Sequence, residues 1–239
     1  MLAYHNDPVI KAGILARLQA HHDADEIVQG RYWEDGKGCA VGCTVHSDDH
    51  ADYERLFGIP RGLAYLEDMI FEHLPDSDAK QWPLRFMGAI VPGADLARVE
   101  PKFNRWVLHS IALPNAGAGA AVRAAIRGTI AVLDGLIATG TVDESAADSA
   151  ASAAYRAAYS APDSAARSVA YAAVYSVAYA TVYSAACAAS AADSAACAAD
   201  SAAYAAVYSA ADSAAYSAAH SAAWGAMADK LIELLEVAK

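Results

Sequence analysis

Large apolar side chains are scarce in this sequence, which limits the kinds of protein it can encode. Aromatic residues make up 9% of the 239 positions and Phe occurs four times, although alanine brings the apolar fraction to 56%. A membrane-spanning helix needs about 20 consecutive, predominantly apolar residues. The long alanine-rich stretch of this chain is interrupted every few positions by Ser, Asp, Arg or Tyr. We therefore expect no membrane-spanning helix and no membrane partner.

Basic residues are in deficit. The chain has 17 Lys and Arg against 28 Asp and Glu, which gives a formal net charge of −11 at pH 7. Duplex nucleic acid and anionic membranes attract proteins through positive charge. The charge balance therefore argues against both as partners, while it leaves room for a local basic site that binds a small anion.

Cysteine is also rare, with four residues in the whole chain. Secreted domains that depend on disulfides are short and dense in cysteine, so a disulfide scaffold is excluded. Residues 1–8 show no basic segment followed by an apolar one, and we expect no signal peptide. Both observations predict a cytoplasmic protein.

Glycine is absent from residues 145–224, and Pro162 is the one proline in that stretch. This change of composition near residue 141 predicts two regions. Residues 1–140 are expected to form an N-terminal all-α globular domain. Residues 141–239 are expected to form an Ala/Ser-rich helical region that ends in an amphipathic helix.

Apolar residues recur at helical spacing throughout the first region, and no window shows the alternation of a strand. Helix-start and helix-stop residues then set the boundaries. The expected helices run from Pro8 to about Gln29, from the Ser47-Asp48-Asp49 start to Phe57, from Pro60 to just before Pro75, from Ser77 through Met87, from Pro101 through Ile111, and from Gly119 to Thr139. The fold class predicted from this pattern is all-α.

The second region repeats the tetrapeptide Ser-Ala-Ala-X, and alanine is the strongest helix former. We expect a helical bundle or hairpin, with breaks at Pro162 and near Asp193 or Asp200, that also joins subunits into a homo-oligomer. Alanine buries little area, so larger side chains are expected to anchor the packing. These anchors are Tyr155, Tyr159, Tyr171, Tyr175, Tyr179, Tyr183, Tyr204, Tyr208, Tyr216 and Trp224.

The segment from Arg31 to His46 concentrates the residues that could bind a ligand. It contains a Gly-Lys-Gly turn just before an expected short helix, where free backbone N–H groups favour anions. Aromatic side chains beside this turn could pack against a ring. The candidate ligand-binding residues are Arg31, Tyr32, Trp33, Lys37, Gly38, Cys39, Thr44 and His46. In this hypothesis phosphates contact Lys37 and the backbone at residues 38 and 39, and no metal or cofactor is required.

Other interpretations of the same segment stay open. It could be only a tight turn between helices, with Trp33 in the core. Cys39, Cys43, His46 and His50 could form a Cys2His2 zinc set, although one continuous helix would spread them over about 16 Å. Cys39 could also be a nucleophile if the helix N-terminus and Lys37 lowered the pKa of its thiol.

Two further groups of ionisable residues are weaker candidates. Glu67, Asp68 and Glu72 lie on one expected helix and could act as an acid–base pair, but we expect them on its solvent-exposed face. His21 and His22 are expected at a solvated helix end. His46, His50 and His109 are the possible bases for a cysteine nucleophile.

The motif YWEDGKGCAVGCT at residues 32–44 is followed by FGIP at 57–60 and LEDMIFE at 66–72. With these residues the chain resembles a group of proteins encoded in bacterial genomes, prophages and phages. The resemblance covers residues 4–110 and the motif DKLIELL at 229–235. It implies a soluble intracellular protein in a phage context, located in the host cytoplasm if phage-encoded, and it transfers no activity to individual residues.

The leading functional hypothesis is a non-enzymatic, oligomeric protein that sequesters a small anionic, nucleotide-derived ligand. By analogy with small phage proteins that hold host nucleotide signals, it would act as an anti-defence sponge. Two alternatives stay open. One is a Cys- or metal-dependent hydrolase of a similar ligand, and the other is a protein-binding inhibitor that uses the acidic surface or the tail.

Overall fold

The computed structural model describes residues 1–116, 119–161 and 213–238 and five single positions between 167 and 176, without side-chain detail for 213–220. The described residues are 72% helical and 4% strand, so the all-α prediction is confirmed. Two compact units are present: Met1–Val99 with Met227–Lys239, and Glu100–Ala226. The composition change near residue 141 falls inside the second unit.

The elements of the first unit are short and follow one another closely. They are a 3₁₀ turn (Ala3–Asn6), α1 (Pro8–Asp23), β1 (Trp33–Glu34), β2 (Lys37–Gly38), α2 (Ala40–Val45), α3 (Asp52–Phe57), α4 (Arg61–His73) and α5 (Asp76–Ala89). After them come α6 (Val99–Trp106), a π-helix (Val107–Ala112), α7 (Ala120–Thr139), α8 (Glu144–Ser160) and α9 (Ser213–Glu236).

Local sequence signals explain several of these boundaries. The side chain of Asp7 accepts a hydrogen bond from the backbone N–H of Val9 at 2.8 Å, and Pro8 occupies the first turn of α1. Gly58 ends α3 in the left-handed conformation with φ of 61°. The expected helices in α3, α4, α5 and α7 are present, with shifted first residues in α3 and α5.

The expected length of the first helix is wrong. Helix α1 ends at Asp23, because Asp25 adopts a left-handed φ of 55° and the chain turns away. Residues 26–28 then pair with Gly38: the N–H of Gly38 donates to Glu26 at 3.0 Å, and the N–H of Val28 donates to Gly38 at 2.8 Å. Residues 26–28, which the spacing of apolar residues assigned to the first helix, instead form this backbone pairing beside the β1–β2 hairpin.

Helix α2 lies in the core of the first unit, where it contacts α1, α4 and α5. All six of its residues are buried. Helix α4 turns its apolar stripe inward, and that stripe consists of Leu63, Leu66, Ile70 and Phe71. The ionisable residues of α4 next to this stripe are thereby held close to the start of α2.

In the second unit, α7 packs against α8. The buried face of α8 is made of alanines: Ala147, Ala150, Ala154, Ala157 and Ala158. Tyr155 and Tyr159 are 50% and 83% exposed, so the expectation that these tyrosines anchor the packing is wrong. Alanine at each contact lets the two helices approach closely, and this leaves the tyrosines at the surface.

Several predictions for the tail lie outside the described residues. These are the breaks at Pro162, Asp193 and Asp200, and the anchor roles of Tyr175, Tyr179, Tyr183, Tyr204, Tyr208 and Tyr216. The C-terminal segment is helical in α9, and Met227, Leu231 and Leu235 are fully buried there. Among the helices that the structure describes, none combines the length and the apolar character that a bilayer span requires.

Candidate functional site

The backbone of Tyr32 lies against the start of α2, and two glycines permit this approach. A Cβ atom at Gly38 would lie 2.0 Å from the carbonyl oxygen of Tyr32, and one at Gly42 would lie 1.5 Å from the same oxygen. A side chain at either position would force the backbone apart. The two glycines therefore have a structural role, which is to hold Tyr32 beside Cys39.

The backbone amides expected to bind phosphate already have partners. The N–H of Gly38 donates to the carbonyl of Glu26 at 3.0 Å, and that of Cys39 donates to the carbonyls of Arg31 and Tyr32 at 2.6 and 3.1 Å. Because these two donors are engaged within the protein, the part of the hypothesis that routes phosphate to them is not supported. The turn before α2 is closed by its own chain.

A small cleft opens beside this turn. Its cavity volume is about 220 Å³, and it is lined by Gly30, Arg31, Tyr32, Cys39, Asp68 and Glu72. The Sγ atom of Cys39 and one carboxylate oxygen each from Asp68 and Glu72 all lie within 4.8 Å of one another. We name this feature the thiol–carboxylate cleft.

The two carboxylates project from successive turns of α4 and are held differently. Glu72 accepts hydrogen bonds from the N–H of Gly30 at 2.8 and 3.1 Å. Asp68 has its Oδ2 atom 3.3 Å from Nε2 of His50, whose ring stacks on Tyr65 at 4.0 Å. The Oδ1 atom of Asp68 is buried and has no hydrogen-bond partner among the residues that the structure describes.

Burial and the Asp68 carboxylate raise the pKa values of ionisable side chains in the cleft. Burial, followed by the negative charge of Asp68, raises the pKa of the Cys39 thiol well above its usual range. Burial and the same charge also raise the pKa of Glu72. The expected lowering of the Cys39 pKa is therefore wrong, because Cys39 is 1% exposed and faces a carboxylate rather than Lys37.

A second cluster lies around His21 and His46, which we name the histidine pair. Their Nε2 atoms are 2.9 Å apart, and Nδ1 of His21 is 2.6 Å from a carboxylate oxygen of Glu26. The ring of Trp33 stacks on His46 with a centroid distance of 4.3 Å and an interplanar angle of 12°. Trp33 is thus packed against protein on one face, which leaves that face unavailable to a ligand ring.

The remaining candidate residues lie in different places and do not form one site. Arg31 and Tyr32 line the cleft, and Tyr32 is 50% exposed. Lys37 is exposed, with its Nζ atom 3.5 Å from the carbonyl of Asp25. Thr44 is fully buried, and its hydroxyl donates to the carbonyl of its own helix at 2.8 Å, which gives it a structural role.

The four residues of the alternative zinc set do not converge. Cys43 donates from Sγ to the carbonyl of Gly38 at 3.3 Å. His46 pairs with His21, and His50 lies beside Asp68. Of the four, only Cys39 belongs to a group of metal-ligating side chains within the described residues.

The acidic residues of α4 are not on a solvent-exposed face, so that expectation is wrong. Glu67 is fully buried, and Asp68 and Glu72 border the cleft. The signal for a site was present in the sequence, since Asp68 and Glu72 are four residues apart and share one helix face. Their proximity to Cys39 depends on tertiary packing, which that spacing does not show.

A larger groove of about 590 Å³ lies along α7 and α8 in the second unit. Small residues line most of it, and its polar members are Asp143 and Ser149. The Asp143 side chain already accepts a hydrogen bond from the N–H of Ala146 at 3.0 Å. This groove offers no convergent set of charged groups, in contrast to the cleft.

Comparison of the chain with protein-family models, with curated protein sequences and with solved structures gives no match. The resemblance carried by residues 32–44 therefore stays a prediction. What the cleft can bind follows from its donor atoms, its charge and its size.

Proposed function

We propose that the chain is a binding protein whose first unit holds a divalent metal ion in the thiol–carboxylate cleft and, through that ion, a small anionic ligand. The observation that carries the proposal is the convergence of three different donor side chains, Cys39, Asp68 and Glu72, within 4.8 Å. The buried and unpartnered Oδ1 atom of Asp68 supports it, because a buried carboxylate oxygen without a partner is costly.

The donor set fits a borderline-soft ion such as Zn²⁺. Zinc takes thiolate sulfur and carboxylate oxygen at about 2.0–2.3 Å. Around a tetrahedral ion, one sulfur and two oxygen donors are separated by about 3.3–3.7 Å, which is compatible with the convergence in the cleft. Three protein ligands also leave a fourth position for water or a ligand atom, as in zinc sites that bind substrates.

A bound metal ion would also balance the negative charge of the side chains in the cleft. Asp68 and Glu72 place two carboxylates near a buried thiol, and without a cation the raised pKa values keep protons in the site. A zinc ion takes the place of the Cys39 proton, so metal affinity rises with pH. We expect proton release to accompany binding.

In this proposal, the anionic ligand inferred from the sequence binds to the cleft only when the cation is present. The acidic lining of the cleft repels a phosphate by itself, whereas a bound metal ion with an open position attracts one. Arg31 and the half-exposed ring of Tyr32 at the opening of the cleft would contact the rest of such a ligand. A volume of about 220 Å³ is smaller than the pockets that enclose whole drug-sized ligands, at about 300–1,000 Å³. A nucleotide would therefore insert its phosphate and leave its base at the surface.

A cysteine-dependent hydrolase has less support. The Cys39 thiol is buried with a raised pKa, and His50 pairs with Asp68 rather than with the sulfur. A metal-dependent hydrolase would use the same donors as the proposed binding site. The anti-defence role and the homo-oligomer stay predictions.

The test is zinc binding by equilibrium dialysis, followed by calorimetry with AMP as the anionic probe. We expect one zinc per cleft in the parent protein and its loss in Asp68→Asn/Glu72→Gln, with AMP binding only when zinc is present. Arg31→Ala should weaken AMP binding and leave zinc binding unchanged, while Arg55→Ala, at an exposed arginine outside the cleft, should change neither.

Three outcomes would contradict parts of the proposal. Zinc content that is unchanged in the double carboxylate variant would remove the cleft as the site. AMP binding of equal strength without zinc would remove the metal-mediated link. Release of phosphate from AMP, abolished by Asp68→Asn, would replace the binding protein with a hydrolase.

A further inference from the structure

The hydrogen bonds of the histidine pair determine how many protons the pair can hold. Nδ1 of His21 lies 2.6 Å from a carboxylate oxygen of Glu26. Because an ionised carboxylate only accepts hydrogen bonds, this nitrogen carries a proton. In the neutral ring of His21, Nε2 then has a lone pair, and the Nε2–H of His46 donates to it at 2.9 Å. The two helices α1 and α2 are thus joined by a direct bond between two imidazole rings.

One additional proton fits this arrangement, and a second does not. With one, His21 becomes positively charged beside Glu26, and its Nε2–H donates to Nε2 of His46. The second proton has to enter the ring of His46. Both Nε2 atoms would then carry a hydrogen 2.9 Å apart, with no lone pair between them and with like charges on the two rings. The doubly protonated rings must therefore separate.

Most of the charge around His46 opposes its protonation. Helix α1 contributes Arg17 and His21, the segment after α1 contributes Glu26, and β1 contributes an uncharged indole. Burial, followed by the positive charges of Arg17 and His21, lowers the pKa of His46, and Glu26 opposes this shift in part. The guanidinium of Arg17 donates to the carbonyl of Thr44 at 2.9 Å, which holds its charge beside the pair.

The indole of Trp33 contacts both rings of the pair. It stacks on His46 with a centroid distance of 4.3 Å and meets the edge of His21 at 5.5 Å. Trp33 begins β1, and each strand of the β1–β2 hairpin has two residues. A two-stranded hairpin has little stability of its own, so it depends on such contacts. Once the rings separate, the indole cannot keep both contacts.

We propose that the histidine pair is a pH-sensitive switch that holds the β1–β2 hairpin against α1 and α2 at neutral pH and releases it when mild acid supplies the second proton. Backbone bonds beside the hairpin belong to the same unit, because Glu26 holds His21 and also accepts from the N–H of Gly38 at 3.0 Å. Tyr32 precedes Trp33 and lines the thiol–carboxylate cleft, so release also alters the wall of the cleft. The switch depends on the pair and not on a metal in the cleft.

Acid favours the released hairpin. Below the ordinary histidine pKa of about 6.5, a released His46 binds a proton that the closed pair excludes. The closed hairpin therefore binds fewer protons than the released one, and its stability is lost as pH falls. At about pH 5.5, one unit below that pKa, the ratio of closed to released hairpin should be about tenfold lower than at neutral pH.

Amide hydrogen exchange of the full chain, followed by NMR and corrected for the intrinsic effect of pH on exchange, measures this ratio. The reporters are the N–H groups of Gly38 and Val28, which bond to the carbonyls of Glu26 and Gly38 at 3.0 and 2.8 Å. Their protection should fall about tenfold between about pH 7.5 and about pH 5.5. NMR of the ring nitrogens in the same sample should show a proton on Nε2 of His46 at the higher pH and both rings charged in the released state.

Two variants separate the pair from other histidines. His46→Asn removes the titrating ring, and asparagine tolerates the left-handed backbone with φ of 56°. The pH dependence of protection should be lost in this variant. His22→Gln is the matched control and should keep it, since His22 neighbours His21 and bonds to Gln81 instead of the pair.

Four results would overturn the switch. Two come from the parent protein: a His46 ring that stays neutral at about pH 5.5, or two charged rings while Gly38 and Val28 keep their full protection. The others come from the variants: a pH dependence that persists in His46→Asn, or one that is lost in His22→Gln.

Discussion

The carbonyl oxygen of Tyr32 occupies the space where a side chain on Gly42 would begin. A Cβ atom at Gly42 would lie 1.5 Å from that oxygen. This contact joins the segment before the β1–β2 hairpin to α2, and it sets the distance between Tyr32 and Cys39. Because both residues line the thiol–carboxylate cleft, the geometry of the cleft depends on this backbone contact.

The first prediction follows from this contact. Gly42→Ala should lower the free energy of unfolding by about 3 kcal/mol, because the new methyl group meets backbone that cannot rotate away. Gly13→Ala is the matched control: Gly13 lies within α1 with nothing within 4 Å of an added Cβ, and alanine should raise stability by about 1 kcal/mol. Urea unfolding followed by tryptophan fluorescence measures both. Equal stability of the two variants would contradict the close approach of the Tyr32 carbonyl to Gly42.

The buried Glu67 should make stability fall as pH rises. Burial raises the pKa of Glu67 well above its ordinary value of 4.5, although a hydrogen bond from the Tyr53 hydroxyl lowers it in part. Between the unfolded and folded pKa values the unfolded chain binds fewer protons than the folded chain, so the free energy of unfolding decreases with pH. Glu67→Gln removes the titrating group and should flatten this dependence.

The measurement for Glu67 is urea unfolding at several pH values from 5 to 8. Glu34→Gln is the matched control, since the Glu34 side chain is 65% exposed, and it should keep the slope of the parent protein. A Glu67→Gln protein with the same slope as the parent would show that Glu67 titrates as an ordinary carboxyl group.

Thiol reactivity provides a third prediction. Burial raises the pKa of Cys43 to about 12, and burial and Asp68 raise that of Cys39 further. Since the thiolate is the reactive form, both cysteines should resist iodoacetamide in the folded protein and react readily in urea. Peptide mapping by mass spectrometry distinguishes them from Cys187 and Cys197. Rapid alkylation of Cys39 in the folded protein would restore the nucleophile hypothesis.

Part of this structure follows from the sequence. Proline and glycine positions predict the ends of α3, α4 and α7, because they act locally on the backbone. The end of α1 was missed because Val28 bonds to Gly38, a contact that helical periodicity cannot show. Of the candidate residues, Cys39 was found within its motif, whereas Asp68 and Glu72 were assigned to solvent. Only packing of α4 against α2 brings these carboxylates to the thiol.

The packing of α7 on α8 gives a fourth prediction. Ala154 is fully buried in the alanine face of α8, and Tyr159 is 83% exposed. Ala154→Leu should therefore destabilise the protein by about 1–3 kcal/mol through overpacking. Tyr159→Ser should change stability by no more than about 0.5 kcal/mol. Thermal unfolding compares the stabilities of the two variants. A larger loss of stability in Tyr159→Ser than in Ala154→Leu would support the expected role of Tyr159 as a packing anchor.

The central claim, that Cys39 is a metal ligand in the cleft, is tested most directly by the absorption spectrum of the Co²⁺-loaded protein. Cobalt substitutes for zinc, and a sulfur ligand gives it an intense thiolate-to-metal charge-transfer band that nitrogen and oxygen ligands do not give. We predict that this band appears in the parent protein, persists in Cys43→Ser, and disappears in Cys39→Ser. The absence of the band from the parent, or its persistence in Cys39→Ser, would contradict the account.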